Sequence, residues 1–266
     1  MSALQADPLN RNPNGLELVS VATYTRLVGA SIERVWENVL DWEHLPHLHD
    51  TSFSFSELDE AGAWGWRCWS DAEHVGHIEL CVMSDRYVAR TYSHGKQFSE
   101  IWTGLRSQGD ATAVEVEFLV ADVAADQVDG MGQIYRDVYQ QLWDEDEAMM
   151  RERQRRLDER RSADAQVVLG TEAAVAQRLP FRFQWRRQEF ELIERDSQLL
   201  AVPTICPHLL GPLATDLTNP DVLSCPWHGY QFDRRSGDCL SPVGARCRLP
   251  AAPVLSIRDG MVVAGA

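Results

Sequence analysis

Two cysteines and two histidines stand out in this sequence: Cys206-Pro207-His208 and, after sixteen intervening residues, Cys225-Pro226-Trp227-His228. Each short segment supplies one thiolate and one imidazole. Such a set suits a tetrahedral zinc ion. It also suits a two-iron, two-sulfide cluster in which thiolates hold one iron and imidazoles the other. Zinc motifs usually pair Cys with Cys and His with His, whereas each segment here mixes the two, which favours the iron–sulfur cluster. Neutral imidazoles raise the reduction potential relative to thiolates, so such a cluster serves as a one-electron relay. Cys68, Cys81, Cys239 and Cys247 do not show the spacing of a secreted disulfide framework.

A carboxylate is the second notable group. Residues 129–160 form one long helical pattern with an apolar stripe of Met131, Ile134, Tyr135, Val138, Leu142 and Met149, and with Trp143 and Met150 at its edge. At about 100° per residue, Asp146 falls inside that stripe. An ionised carboxylate facing an apolar space is costly unless it is paired or bound to metal. Asp144 and Glu147 are expected to point away, and Glu145 to lie at the opposite edge.

The elements that must carry these groups follow from pattern and turn chemistry. Residues 16–30 alternate like a strand, Ser31 is a plausible N-cap for a helix over 32–40, and Pro46 closes a second short helical turn. Strands are expected at 52–58, 63–71, 75–83, 87–93, 97–106 and 112–121, separated by turn signals such as His94-Gly95 and Gly109-Asp110. Alternation puts Trp64 and Trp66 on one face and Trp69 on the other, as core or as cavity wall, and puts His74 and His77 on opposite faces. The charged run from Arg151 to Arg161 reads as a solvated linker helix. Expected boundaries are a polar tail at 1–15, an α+β domain at 16–161 and an all-β domain at 162–266.

The sequence has no apolar run of membrane-spanning length and no signal-peptide pattern at its start, so a cytoplasmic, membrane-free protein is expected. Net charge of −15 argues against nucleic acid as a partner, while an acidic surface can favour a basic redox partner.

Residues 165–264 resemble a Rieske ferredoxin-type domain. The run Cys225-Pro226-Trp227-His228-Gly229-Tyr230-Gln231-Phe232-Asp233, with Ser236-Gly237-Asp238-Cys239 after it, is similar to the form in Rieske non-haem iron oxygenases and their ferredoxins. Respiratory Rieske proteins carry an extra cysteine in each cluster loop; here Leu209, Leu210 and Gly211 follow His208, and Trp227 stands between Cys225 and His228. The resemblance implies a [2Fe-2S] cluster held by Cys206, His208, Cys225 and His228. The order strand, two short helices, six strands and a long helix resembles the helix-grip, START-like fold, in which Rieske oxygenases place a mononuclear iron. The domains would then stand in reversed order, catalytic before Rieske.

Within residues 37–49 the resemblance extends to the oxygenase pattern of an acidic residue and Asn followed by D-x2-H-x4-H. It implies His44 and His49 as Fe(II) ligands, with Asp41 bridging electron flow between subunits. Trp143-Asp144-Glu145-Asp146 resembles the segment that carries the third ligand, which gives Asp146. Two imidazoles and one carboxylate form a facial triad with positions open to dioxygen. His47 fits no ligand position. The expected function is a terminal oxygenase, in a homotrimer. It would hydroxylate or demethylate an apolar aromatic or cyclic molecule with O2, fed by a separate reductase or ferredoxin because no dinucleotide fingerprint is present. The alternative is a non-catalytic Rieske electron-transfer protein fused to a metal-free, ligand-binding helix-grip domain.

Overall fold

The computed structural model describes residues 14–159 and 163–265, and the chain divides into two compact units, Met1–Gln154 and Arg155–Ala266. Most of the expected N-terminal tail and the expected boundary at residues 161 and 162 lie outside the described residues.

In the first unit, β1 (Leu18–Val28) leads to α1 (Ile32–Leu40) and the four-residue α2 (Leu45–Leu48). Six hairpin-linked strands follow: β2 (Glu57–Gly62), β3 (Gly65–Trp69), β4 (Gly76–Val82), β5 (Arg86–Ser93), β6 (Lys96–Gln108) and β7 (Ala111–Ala121). They form one antiparallel sheet in the order β1-β7-β6-β5-β4-β3-β2. The 31-residue α3 (Val128–Asp158) packs on one face of it. This is the helix-grip arrangement. Alternation along β7 sends Val114, Val116, Phe118 and Val120 into the core, and the Phe118 ring lies 4.7 Å from that of Tyr139 and 5.3 Å from that of Tyr135 on α3. Full burial of an apolar side chain such as Phe118 contributes about 1.5–3 kcal/mol.

Several expectations shift. The first hairpin strand begins at Glu57 rather than 52, because the chain leaving α2 first turns, with Ser52 N and Phe53 N both donating to His49 O. Pro46 sits in the first turn of α2 rather than closing it, where its missing N–H costs nothing. Ser31 has the extended N-cap conformation, but its carbonyl rather than its hydroxyl engages the helix, accepting from Val35 N. Trp64 lies in the turn between β2 and β3, so it packs with Cys81, Val88 and Trp102 and does not share a face with Trp66. His74 also stands outside the strands. Its ring stacks on Trp69 at 4.8 Å, while His77, paired with Trp69 across β3 and β4, meets the same indole edge-on. The buried stripe of α3 is rotated from the expected one. Tyr139, Trp143 and Met150 face the core, while Ile134 and Val138 are exposed. Asp146 stays on the inner face.

The second unit is built from short β-strands. β8 (Val167–Thr171) runs into α4 (Glu172–Arg178), whose N-cap Thr171 accepts from Ala174 N. There follow β9 (Phe181–Trp185), β10 (Gln188–Arg195), β11 (Gln198–Pro203), β12 (Ala214–Thr215), β13 (Val222–Ser224), β14 (Gln231–Asp233), β15 (Cys239–Ser241), β16 (Val254–Arg258) and β17 (Met261–Gly265). They form three antiparallel sheets, β11-β10-β9, β12-β13-β14-β15 and β16-β17-β8. Phe190 and Leu192, both fully buried, centre a core with Phe183, Trp185 and Val262. No helix among the described residues is long and apolar enough to cross a membrane.

Candidate metal centres

The four residues of the mixed Cys/His motif lie on two hairpin tips of the second unit. One tip joins β11 to β12 and the other joins β13 to β14. Their backbones repeat the same bonds. Cys206 N donates to Gly211 O at 2.8 Å and Leu210 N to Cys206 O at 3.1 Å; Cys225 N donates to Tyr230 O at 2.9 Å and Gly229 N to Cys225 O at 3.0 Å. In both tips the fourth residue after the cysteine is left-handed, with φ of 65° at Leu210 and at Gly229. Glycine takes that conformation without penalty, whereas leucine is strained there by roughly 1–2 kcal/mol.

The tips bring the His208 and His228 rings to 4.7 Å, nearly perpendicular, with Tyr230 stacked on His208 at 4.4 Å. Cys206 and Cys225 are both buried. A hydrogen bond between the two thiols lets them share one proton, which holds Cys225 down to about 5 and pushes Cys206 far above the usual thiol range. A metal that takes both thiolates replaces that shared proton, so the donor set fits a cluster. Burial pushes the Cys68 and Cys81 thiols up to about 12, as befits inert core residues.

Trp227, 6% exposed, ties the tips together. A Cβ on Gly211 would lie 2.6 Å from Cys225 Sγ and 2.9 Å from the Trp227 ring, so only glycine fits beneath the indole. Gly211→Ala is therefore expected to cost roughly 1–3 kcal/mol through overpacking and to lower cluster content. Thermal unfolding and visible absorbance check this, and parent-like values in both would rule out the close packing.

In the first unit the structure gathers His44, His49 and Asp146, whose potential ligand atoms all lie within 4.8 Å of one another, each residue being buried. His44 is the N-cap and His49 the C-cap of α2, so the four-residue helix sets their spacing. Asp146 Oδ1 receives His49 Nε2 at 3.0 Å and Asn38 Nδ2 at 2.9 Å, with His44 Nε2 at 3.6 Å. Burial works against a charged His49 ring, but its bonds to Asp146 and Glu145 prevail and raise its pKa. Asp41 Oδ2 lies 3.7 Å from His44 Nδ1, and its other oxygen accepts from Glu43 N. His47 is exposed. Two buried imidazoles and one buried carboxylate on a cavity wall fit Fe(II).

Two further residues complete this site. From its expected place at the opposite edge of the apolar stripe, Glu145 reaches inward and meets His49 Nδ1 at 2.6 Å. Its long side chain spans the angle that helix periodicity assigns to it. Asn38, the Asn of the acidic-residue-and-Asn pattern at 37–38, donates to Asp146. Asp144 and Glu147 do point away, both pairing with Arg26 of β1.

The cluster of three opens on a cavity of 120 Å³ walled by Phe53, Trp66, Leu80, Tyr87, Tyr139 and Leu142. Trp66 is fixed there by its Nε1–H bond to Val39 O, and Trp64 and Trp69 are not on this wall. An apolar cavity of about 150 Å³ holds a single benzene-sized ring.

Residues 165–251 match the family profile of the Rieske [2Fe-2S] domain. No curated protein matches the chain in sequence. Among solved structures, a START superfamily protein from Mycobacterium smegmatis is similar at 17% identity and a TM-score of 0.38, covering 49% of this chain and 96% of its own. The plasma-membrane Rieske protein PetC3 from Synechocystis PCC 6803 is similar at 20% identity and 0.29, covering 38% and 99%. The ferredoxin of carbazole 1,9a-dioxygenase from Nocardioides aromaticivorans IC177 is similar at 19% identity and 0.29, covering 38% and 98%. With the seven-stranded sheet gripping α3 in one unit and the paired Cys/His tips inside the matched segment of the other, the chain joins a helix-grip domain to a Rieske [2Fe-2S] domain that follows it.

Proposed function

We propose that this chain is the oxygenase component of a Rieske-type system, acting with O2 on a small apolar ring compound and fed by a separate reductase or ferredoxin. The observation that carries the proposal is the buried group His44, His49 and Asp146 at the wall of an apolar cavity. With metals bound, the two centres supply one-electron transfer and dioxygen activation, the chemistry of hydroxylation or demethylation. The chain's own residues have distinct parts. Cys206 and Cys225 hold the thiolate side of the cluster, and His208 and His228 the imidazole side. His44, His49 and Asp146 hold Fe(II). Phe53, Trp66 and Leu142 exclude water and orient a flat substrate by shape. Asp41 faces His44 Nδ1 at 3.7 Å, where its charge rather than a direct hydrogen bond orients the ring. In the homotrimer we propose, Asp41 is the residue between His44 and a cluster histidine of the neighbouring chain.

One observation favours a different protein. Asp146 already accepts from His49 and Asn38, and His49 already engages Glu145, as in a site satisfied without metal. The chain would then be an electron-transfer protein carrying a metal-free ligand-binding domain. Iron and acid-labile sulfide analysis of protein purified without oxygen and reconstituted with Fe(II) separates the two. The oxygenase is expected to hold one iron per chain beyond the two of its cluster. Cluster iron alone would establish the electron-transfer protein instead.

A further inference from the structure

We propose that Glu145 is the positioning residue of the mononuclear site, holding His49 in the tautomer and orientation that present Nε2 to a metal. This rests on metal binding by His44, His49 and Asp146 as proposed above. Consecutive residues of α3 address the two nitrogens of one ring. Glu145 Oε2 meets His49 Nδ1 at 2.6 Å, and Asp146 Oδ1 meets Nε2 at 3.0 Å. An imidazole that ligates through Nε2 carries its proton on Nδ1, and a carboxylate accepting that proton fixes the ring and strengthens it as a ligand.

Glu145 is itself held. Its Oε1 accepts from Gln141 Nε2 at 2.9 Å, one helical turn earlier, and the same amide nitrogen donates to Thr51 Oγ1 at 2.8 Å. Thr51 lies two residues after His49. The segment carrying the ligand is thus tied to α3 twice, through the imidazole and through Gln141. His49 is 2% exposed, so its ring has little room to rotate. His44 differs, since Asp41 stands 3.7 Å from its Nδ1, beyond hydrogen-bond length. The tighter orientation falls on His49.

The test uses the full chain with its cluster in place and oxidised, hence EPR-silent, after chelation of other metal. Co(II) is the probe, its affinity read by equilibrium dialysis and its geometry by low-field EPR. Glu145→Ala is expected to weaken Co(II) binding by roughly 10–100-fold and to change the signal. Glu145→Gln keeps an acceptor oxygen and is expected to recover much of both. A purely structural part for Glu145, 28% exposed at its side chain, would leave the signal unchanged. Parent-like affinity and signal in Glu145→Ala would overturn the inference while leaving the metal site standing. If the parent bound no Co(II) that Asp146→Ala abolishes, the metal site and the inference would fall together.

Discussion

His228→Cys is expected to lower the reduction potential of the cluster by on the order of 100–300 mV. Rieske centres with two imidazoles lie at roughly −150 to +300 mV, against about −400 mV for all-thiolate ferredoxins. A third thiolate adds negative charge at the imidazole-held iron and moves the centre toward the second class. The effect should be large because His228 is 4% exposed, so solvent does little to offset an added charge there. His228→Ala leaves one coordination position with no protein donor, and loss of the cluster is expected. Protein-film voltammetry reads the first variant, and EPR of the reduced protein reads both. An unchanged potential with an unchanged signal would mean that His228 is not a ligand of the cluster, whereas the absence of any signal from the reduced parent would return a zinc site as the explanation of the motif.

Asp146→Ala should weaken metal binding at the mononuclear site by roughly 100-fold or more, since loss of a mere orienting partner already costs 10–100-fold. Cluster absorbance should stay as in the parent. The variant also leaves the buried Asn38 amide without its acceptor, at a cost of about 1–3 kcal/mol. Thermal unfolding must therefore accompany the metal analysis. Asp144→Ala is the proper control, because Asp144 is 58% exposed at its side chain and pairs with Arg26, away from the site. Glu147 is a poorer one: it also accepts from Gly29 N, so its removal loosens β1 from α3 without touching the site. Retention of parent metal content in a folded Asp146→Ala protein would remove the carboxylate from the ligand set.

What was legible in the sequence depended on how local the signal was. Cys206, His208, Cys225 and His228 declare themselves because each tip is a short segment in which residue type and spacing carry the chemistry. Asp146 was legible through helix periodicity, even though the stripe around it was misplaced. Tyr139, amphipathic, faces the core, and the more apolar Ile134 and Val138 do not. Periodicity fixes where a Cα sits and not how far a side chain reaches, so it puts Glu145 at the edge of the stripe without showing that its carboxylate meets His49. Trp64 shows the corresponding limit for strands: alternation fails where the turn takes the first two residues of the expected strand, which begins at Gly65 rather than 63. The late start of β2 has the same origin, since the turns that follow α2 use backbone bonds to His49 that no side-chain pattern announces.

The shortness of α2 has a consequence for local order. Four residues are far too few for a helix to be stable by itself, and none of the four is buried. What helps hold the segment down are its two cap histidines, reaching Asp146 and Glu145 on a 31-residue helix, together with Leu45 packed on the core. The stretch from Asp41 to Phe53 is thus a latch whose two histidine pins meet α3 at one point, beside the Gln141–Thr51 bond and the packing of Trp42 and Leu45 on the core. Its opening free energy is set by whatever occupies the space between the pins, because a ligand that binds only the closed form stabilises that form in proportion to its affinity. Emptying or filling that point changes the persistence of one cavity wall while the sheet and the long helix stay as they are.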